Sequence, residues 1–249
     1  MSVGMIVRLA VLAVLVAFLA APQSFAFVFA PLAKPGQPPI YLQTGLVNLT
    51  LNHLMITAIA TVAAAIVAIG LAILVTRPVG AEFLPLSRSL ANVGQTFPPV
   101  AVLAIAVPLL GFGTAPTLVA LFLYGLLPIF ENALTGLTTL PPAVTEAARG
   151  MGMTGPQRLV SVELPLAAPV ILGGIRLSAV IGLSTATIGS TVAASTLGEV
   201  IIAGLLSDNI AYILQGGIVV GILAVLIYDC LSALERVLMR RTGQESRDV

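Results

Sequence analysis

Long stretches without a charged residue, separated by short polar segments, set the pattern of this chain. Crossing a hydrocarbon core of roughly 30 Å takes about 20 residues of helix at about 1.5 Å per residue. Runs that approach or exceed this length lie at about 9–30, 54–76, 93–110, 116–137, 169–192 and 210–228, the last ending before the charged tail that begins at Asp229. The pattern predicts an all-α membrane protein, a polytopic helical bundle of about six transmembrane helices in one domain spanning 1–249. Within it, 1–30 holds the first span, 54–192 spans two to five, and 210–249 the last span with a basic tail. A further apolar stretch, 201–206 between Glu199 and Asp208, is too short to cross and predicts a partly buried or re-entrant segment.

The first run has two readings. Arg8, the apolar stretch behind it and the small-residue pattern at Ser24, Phe25, Ala26 fit a cleaved signal sequence. The apolar character continues through Phe27, Val28 and Phe29, which a signal sequence does not need, so the expectation is a retained span. Cleavage leaves five.

Composition narrows the class. Apolar residues make up 58% of the 249 and charged residues 8%, against about 25% charged in soluble domains. That excludes an ordinary soluble enzyme and a disordered chain. The single cysteine, Cys230, forbids an intrachain disulfide, and 11 basic against 10 acidic residues leave no excess for a nucleic acid. Sidedness follows from the arginines, since basic residues gather in cytoplasmic loops. With both termini inside, Arg8, Arg77, Arg88, Arg149, Arg158, Arg236, Arg240, Arg241 and Arg247 are cytoplasmic, Arg176 lies near the inner end of span five, and Lys34 alone is outside. Loops 77–92 and 138–168 then face inward, and 31–53 and 193–209 outward.

The long inward loop carries the densest turn chemistry. Pro141 and Pro142 suit a first helical turn, 143–151 are good formers apart from Gly150, and Gly152 fits a left-handed helix end. Thr154, Gly155, Pro156 and Gln157 read as a capping box that opens a second short helix, which Pro165 is expected to end. On this hairpin stand Glu146, Ala147, Ala148, then Gly152 after three residues, Val162 after nine more, and Leu164-Pro165 after one. That spacing resembles the EAA loop of ABC importer permeases, with valine where the family usually has isoleucine. The resemblance implies a type I, MetI-like permease fold and a coupling helix, Glu146, Ala147, Ala148, Arg149 and Gly152 with Val162, Leu164 and Pro165 behind it, docked in a cleft of a separate ATPase. Small side chains allow close entry, a charge fixes register and the glycine turns the chain back.

The similarity extends over about 95–176. Gln95-Thr96-Phe97-Pro98-Pro99, Leu109-Leu110-Gly111-Phe112-Gly113-Thr114 and 121–129 resemble the osmoprotectant branch, which imports glycine betaine and choline, whereas methionine and sulfonate permeases share the coupling pattern. It implies an ATPase dimer, a second permease copy or paralogue, an extracytoplasmic substrate-binding protein, and the inner membrane of a bacterium. ATP and magnesium belong to the partner, because the sole lysine, Lys34, does not sit in a phosphate-binding glycine loop. No cofactor, catalytic residue or metal is expected on this chain.

Within the spans, Gly174, Ser178, Gly182, Ala186 and Ser190 recur every fourth residue, a ladder that suits helix packing more than a substrate path. Ser184, Thr185 and Thr187 offer hydroxyls from another face. Ala60, Ala64, Ala68 and Ala72 form a similar ladder in span two. Glu131 beside Asn132 needs a partner, Arg88 or Arg176, or else touches the pathway. His53 reads as a surface-level hydrogen bonder. With no tryptophan, four tyrosines and nine phenylalanines, no aromatic cage for a quaternary ammonium is expected, leaving selectivity to the binding protein. An ion-coupled secondary transporter is the rival reading, and it has no use for the hairpin. An intramembrane protease is remote, since one histidine cannot build a zinc helix and Asp229 lacks a partner motif.

Overall fold

The computed structural model describes residues 3–243, so Arg247 lies outside them. Among these the chain is helical, with no strand: α1 Val3–Ala20, α2 Leu46–Val75, α3 Leu84–Thr96, α4 Pro99–Leu110, α5 Thr114–Thr138, α6 Pro142–Gly150, the continuous run α7 Gly155–Val192, α8 Gly198–Ser207 and α9 Ile210–Arg241. Four helices, α2, α5, α7 and α9, are long and apolar enough to cross a membrane, and two bent pairs bring the number to six if each pair is one crossing.

The bends fall at prolines. In the first span α1 stops at Ala20, and short turns over Pro22–Leu32 leave at 114°. The apolar pattern at 9–30 does not show this break, because composition says nothing about direction. The third span is also broken. α3 occupies residues expected to be loop, and meets α4 at 97°. Phe97 is extended (φ −93°, ψ 134°) and Pro98 follows at ψ 141°, as two consecutive prolines require: each lacks an N–H, and each pushes its predecessor out of the helical region.

Three other boundaries differ from the apolar runs. α2 starts at Leu46, well before 54, since Asn48, Asn52 and His53 are accommodated inside the helix. α9 continues past Asp229 to Arg241, with its Glu235 paired to Arg176. Pro165 does not end the second hairpin helix. A wide π turn over Leu159–Glu163 resets the hydrogen-bond ladder, with the Leu164 N–H reaching back to Leu159 O. Pro165 therefore falls in the first turn of a new α-helical stretch, where a missing N–H costs nothing. The helix runs on through Pro169 to Ala186.

The chain divides into two compact units. One comprises Met1–Ala60, Pro98–Leu121 and Val180–Ile227. Its core joins Leu15, Phe18 and Phe29 to Tyr41, Leu49, Leu197 and Val219. His53, 0% exposed, is not at a surface but at the centre of this unit. Its Nε2 faces Leu183 O at 2.9 Å and its Nδ1 accepts from the Leu197 N–H at 3.4 Å, so the neutral ring ties α2 to α7 and to the start of α8. The short helix α8 covers the apolar stretch 201–206, which the sequence marks as too short to cross.

The other unit comprises Thr61–Phe97, Phe122–Ala179 and Tyr228–Val249. Ala64, Ala68 and Ala72 of the alanine ladder are fully buried here against Leu126, Ile129, Phe130, Ala133 and Ile171, so that ladder is a packing face. Arg176 makes an ion pair with Glu235, donates to Ser232 Oγ at 2.9 Å and lies 4.8 Å over the Tyr228 ring. These contacts retain charge within the helical part of α9.

Candidate functional site

The hairpin is built almost wholly by local rules. Pro142 occupies the first turn of α6, where it costs no hydrogen bond, and Thr145 Oγ1 donates to Pro142 O at 2.8 Å. At the other end Gly152 takes φ +76°, its N–H donates to Arg149 O at 2.9 Å and the Met153 N–H donates to Ala148 O at 3.2 Å. Both bonds together make a Schellman motif, which needs a left-handed residue just beyond the helix. Two residues on, the capping box forms: Gln157 N–H donates to Thr154 Oγ1 at 3.4 Å, and the Thr154 N–H to Gln157 Oε1 at 2.9 Å. The helix α6, the glycine turn and the restart of α7 thus appear where the sequence places them.

The hairpin's two faces differ. Glu146, Ala147, Arg149, Gly150, Met151 and Gly152 are exposed, a small-residue surface bordered by one charge of each sign. Ala148 is 1% exposed and turns into the chain itself. It seats α6 rather than entering a partner's groove, because residues one apart on a helix diverge by about 100°. Val162 and Leu164 are half-buried and Pro165 is exposed.

The residue between Val162 and Leu164, left unspecified by the motif, holds the hairpin down. Glu163 is 5% exposed. Its Oε2 accepts from Arg77 Nη2 at 2.5 Å and its Oε1 from Arg158 Nε at 2.9 Å. Arg77 lies two residues beyond the end of α2, so one carboxylate joins that end to the base of the hairpin. A cavity of about 830 Å³ beside it is also lined by Arg149. Glu163 stands outside the motif; its signal in the sequence is a lone carboxylate in an apolar stretch, which must be paired if buried.

The candidate span residues separate into groups. Glu131 pairs with Arg88, not Arg176, through two bonds of 2.6 and 3.0 Å. Gly174 packs on α5: a Cβ there would lie 2.7 Å from Pro128 O. Ser178 is buried, with Gly125 so close that a Cβ on it would meet Ser178 Oγ at 2.6 Å. Gly182 and Ala186 are buried too, as a packing ladder requires. Ser184 is exposed, Thr185 half-buried, and Thr187 Oγ1 donates to Ser184 O at 2.7 Å.

A second polar constellation lies in the other unit. Tyr41 Oη donates to Glu199 Oε1 at 2.7 Å, and Thr44 Oγ1 donates to the same oxygen at 2.5 Å. Burial, reinforced by the bond to Glu199, pushes the Tyr41 phenol up to about 12. The ring of Tyr41 meets that of Tyr212 edge to face, with centroids 5.4 Å apart. The two are 171 positions apart in the chain, which is why the aromatic count gives no hint of the pair. Beside them opens a cavity of about 550 Å³.

A multi-pass helical build with an exposed hairpin of this kind fits a transport permease. Residues 68–244 match the family described as the binding-protein-dependent transport system inner membrane component, and the chain belongs to that family. It is 41% identical to the osmoprotectant import permease protein OsmY of Salmonella typhimurium, over 77% of this chain and 80% of that one. The choline transport system permease protein OpuBB of Bacillus subtilis is 39% identical, over 79% and 91%. The glycine betaine/carnitine/choline transport system permease protein OpuCB of the same organism is 38% identical, over 84% and 97%. Among solved structures, an inward-facing MetNI methionine ABC transporter superposes with a TM-score of 0.70 at 21% identity, covering 78% of this chain and 95% of that one. At that identity the likeness establishes the type I importer permease fold alone.

Proposed function

We propose that this chain forms the translocation path of an ABC importer for osmoprotectants, small quaternary ammonium solutes such as glycine betaine, choline and carnitine. Support for the solute class comes from relatives at 38–41% identity that carry those names and are matched over most of their length. The observation that carries the importer reading is the hairpin, a pre-formed helix with Glu146, Ala147 and Arg149 exposed at its tip and Glu163 anchoring its base. In this reading the tip docks on a separate ATPase, which holds the ATP and magnesium. Two ATPase chains, a second permease copy or paralogue and an extracytoplasmic binding protein complete the machine. The chain lies in the inner membrane with both termini cytoplasmic. Gly174, Ser178 and Gly182 pack helices, while Ser184, Thr185 and Thr187 are the hydroxyls offered to the solute path.

Reconstitution of the chain with its ATPase and binding protein in proteoliposomes tests this reading. Uptake of labelled glycine betaine, choline or carnitine that requires ATP hydrolysis is the expected result. Uptake driven by an ion gradient without ATP, or ATP-driven uptake restricted to methionine or sulfonates, contradicts it.

A further inference from the structure

The cavity at the base of the hairpin carries more positive charge than its own acid balances. It lies within one compact unit, where α2 and α5, both long and apolar enough to cross a membrane, come to their ends and the hairpin begins. Arg77, Arg149 and Arg158 line it, and Glu163 is the one carboxylate among its lining residues. Glu163 is shared. Its Oε2 accepts from Arg77 and its Oε1 from Arg158, so both oxygens are turned to those two residues, and it is itself 5% exposed. Arg149 is exposed and forms no ion pair among the described residues. Two guanidinium charges are left over. The carbonyl ends of α2 and α5 contribute about half a negative charge each, which offsets one of them at most. Donors are left over too. A guanidinium has five N–H groups, yet Arg77 meets Glu163 and Thr76 through Nη2 and Arg158 meets Glu163 through Nε. Their side chains remain 26% and 18% exposed. Opposite this polar rim stands an apolar wall of Ile73, Val75, Leu137, Leu140 and Leu159.

We propose that this cavity binds the phosphate headgroup of an anionic phospholipid, held by Arg149, Arg158 and Arg77 with its glycerol against the apolar wall. The inference is independent of the solute that the chain transports. Guanidinium groups suit a phosphate because their planar donors match its oxygens and because they stay charged at any physiological pH. A zwitterionic lipid brings its own ammonium into a space that is already cationic, so the preference is for a headgroup of net negative charge. Position favours the lipid over a free phosphate ion: the cavity lies where two crossing helices end, and basic pockets between such helices take up acidic headgroups. A free anion has no use for five apolar side chains. The volume of about 830 Å³, within the range of roughly 300–1,000 Å³ usual for small-molecule sites, leaves room for the glycerol beside the phosphate. Arg149 stands in the last turn of α6 and Arg158 near the start of α7. A phosphate held by both ties the two limbs of the hairpin to each other and, through Arg77, to the end of α2.

Native mass spectrometry of the purified full-length chain, delipidated in neutral detergent and titrated with phosphatidylglycerol or phosphatidylcholine, tests this. The first phosphatidylglycerol is expected to bind at least about fivefold more tightly than the first phosphatidylcholine. Arg149→Gln breaks no ion pair and is expected to melt like the parent chain when no lipid is added. It is expected to weaken phosphatidylglycerol about fivefold, the change that loss of one basic residue from a lipid contact brings, and to leave phosphatidylcholine unaltered. Arg236→Gln removes an exposed arginine of α9 that does not line the cavity, and is expected to change neither. Inorganic phosphate is expected not to displace phosphatidylglycerol; displacement by it assigns the site to a free anion and overturns the lipid. Equal affinity for the two lipids, an unchanged phosphatidylglycerol affinity in Arg149→Gln, or an equal loss in Arg236→Gln overturns the proposal as well. The comparison of lipids and the phosphate competition use the unaltered chain, so they decide the matter even if Arg149→Gln fails to fold.

Discussion

Two residues decide whether the hairpin keeps its shape. Gly152 sits at φ +76° and donates its N–H to Arg149 O; proline can do neither, and the mismatch costs about 3 kcal/mol locally. Gly152→Pro is therefore expected to insert into the membrane at normal levels and to lose ATP-driven uptake, read by membrane immunoblot beside transport. Full uptake by the variant removes the hairpin's role. Glu163 neutralises Arg77 and Arg158 in a largely buried position. Glu163→Gln leaves two arginines facing one another without a counter-charge. Removing one partner of a fully buried pair costs about 3–5 kcal/mol, and partial exposure of the arginines reduces this to about 1–2. A lowered melting temperature in detergent, partly recovered when Arg77→Gln is added, is the expected result; an unchanged melting temperature contradicts the pairing.

Between helices, close approach is set by glycines whose importance differs with what faces them. A Cβ on Gly94 of α3 would fall 2.0 Å from Leu123 O on α5, whereas a Cβ on Gly70 of α2 meets nothing within 4 Å. Next to Gly94, Gln95 Nε2 donates to Tyr124 O at 2.9 Å and Tyr124 Oη to Phe97 O at 2.6 Å, so the bent segment is fastened to α5 along its length. Gly94→Ala is expected to reduce the folded yield sharply, while Gly70→Ala stays neutral or gains up to about 1 kcal/mol from better helix propensity. Thermal unfolding of the two variants side by side checks this, and equal behaviour would refute the contact. The bend itself was legible in Phe97-Pro98-Pro99, whose chemistry forbids a straight helix; averaging hydropathy over the run conceals it. The extension of α9 was not legible. Asp229 marks the end of an apolar run, but Glu235 remains helical because Arg176, far away in sequence, supplies its counter-charge.

For the molecule as a whole, α2 shows which surfaces belong to the bilayer or to other subunits. Leu51, Met55, Ile59, Val62 and Ile66 are at least half exposed while Ala64, Ala68 and Ala72 are buried, so one helix turns large apolar residues outward and small ones to its neighbours. This inverts the soluble pattern, as expected where lipid replaces water. The all-helical, multi-pass build and the hairpin could be read from the sequence because both follow from local rules, apolar length in one case and cap chemistry in the other. The Glu163 cluster, buried His53 and the Tyr41, Glu199 and Tyr212 cavity could not, since each joins residues more than 80 positions apart. If a separate ATPase acts at the hairpin tip, as proposed, the contact can be trapped: benzoylphenylalanine is placed at Ala147, an exposed small residue of the tip, and irradiated in native membranes. A covalent adduct containing the ATPase subunit is the expected result; an adduct with the extracytoplasmic binding protein, or none with the ATPase, contradicts the docking.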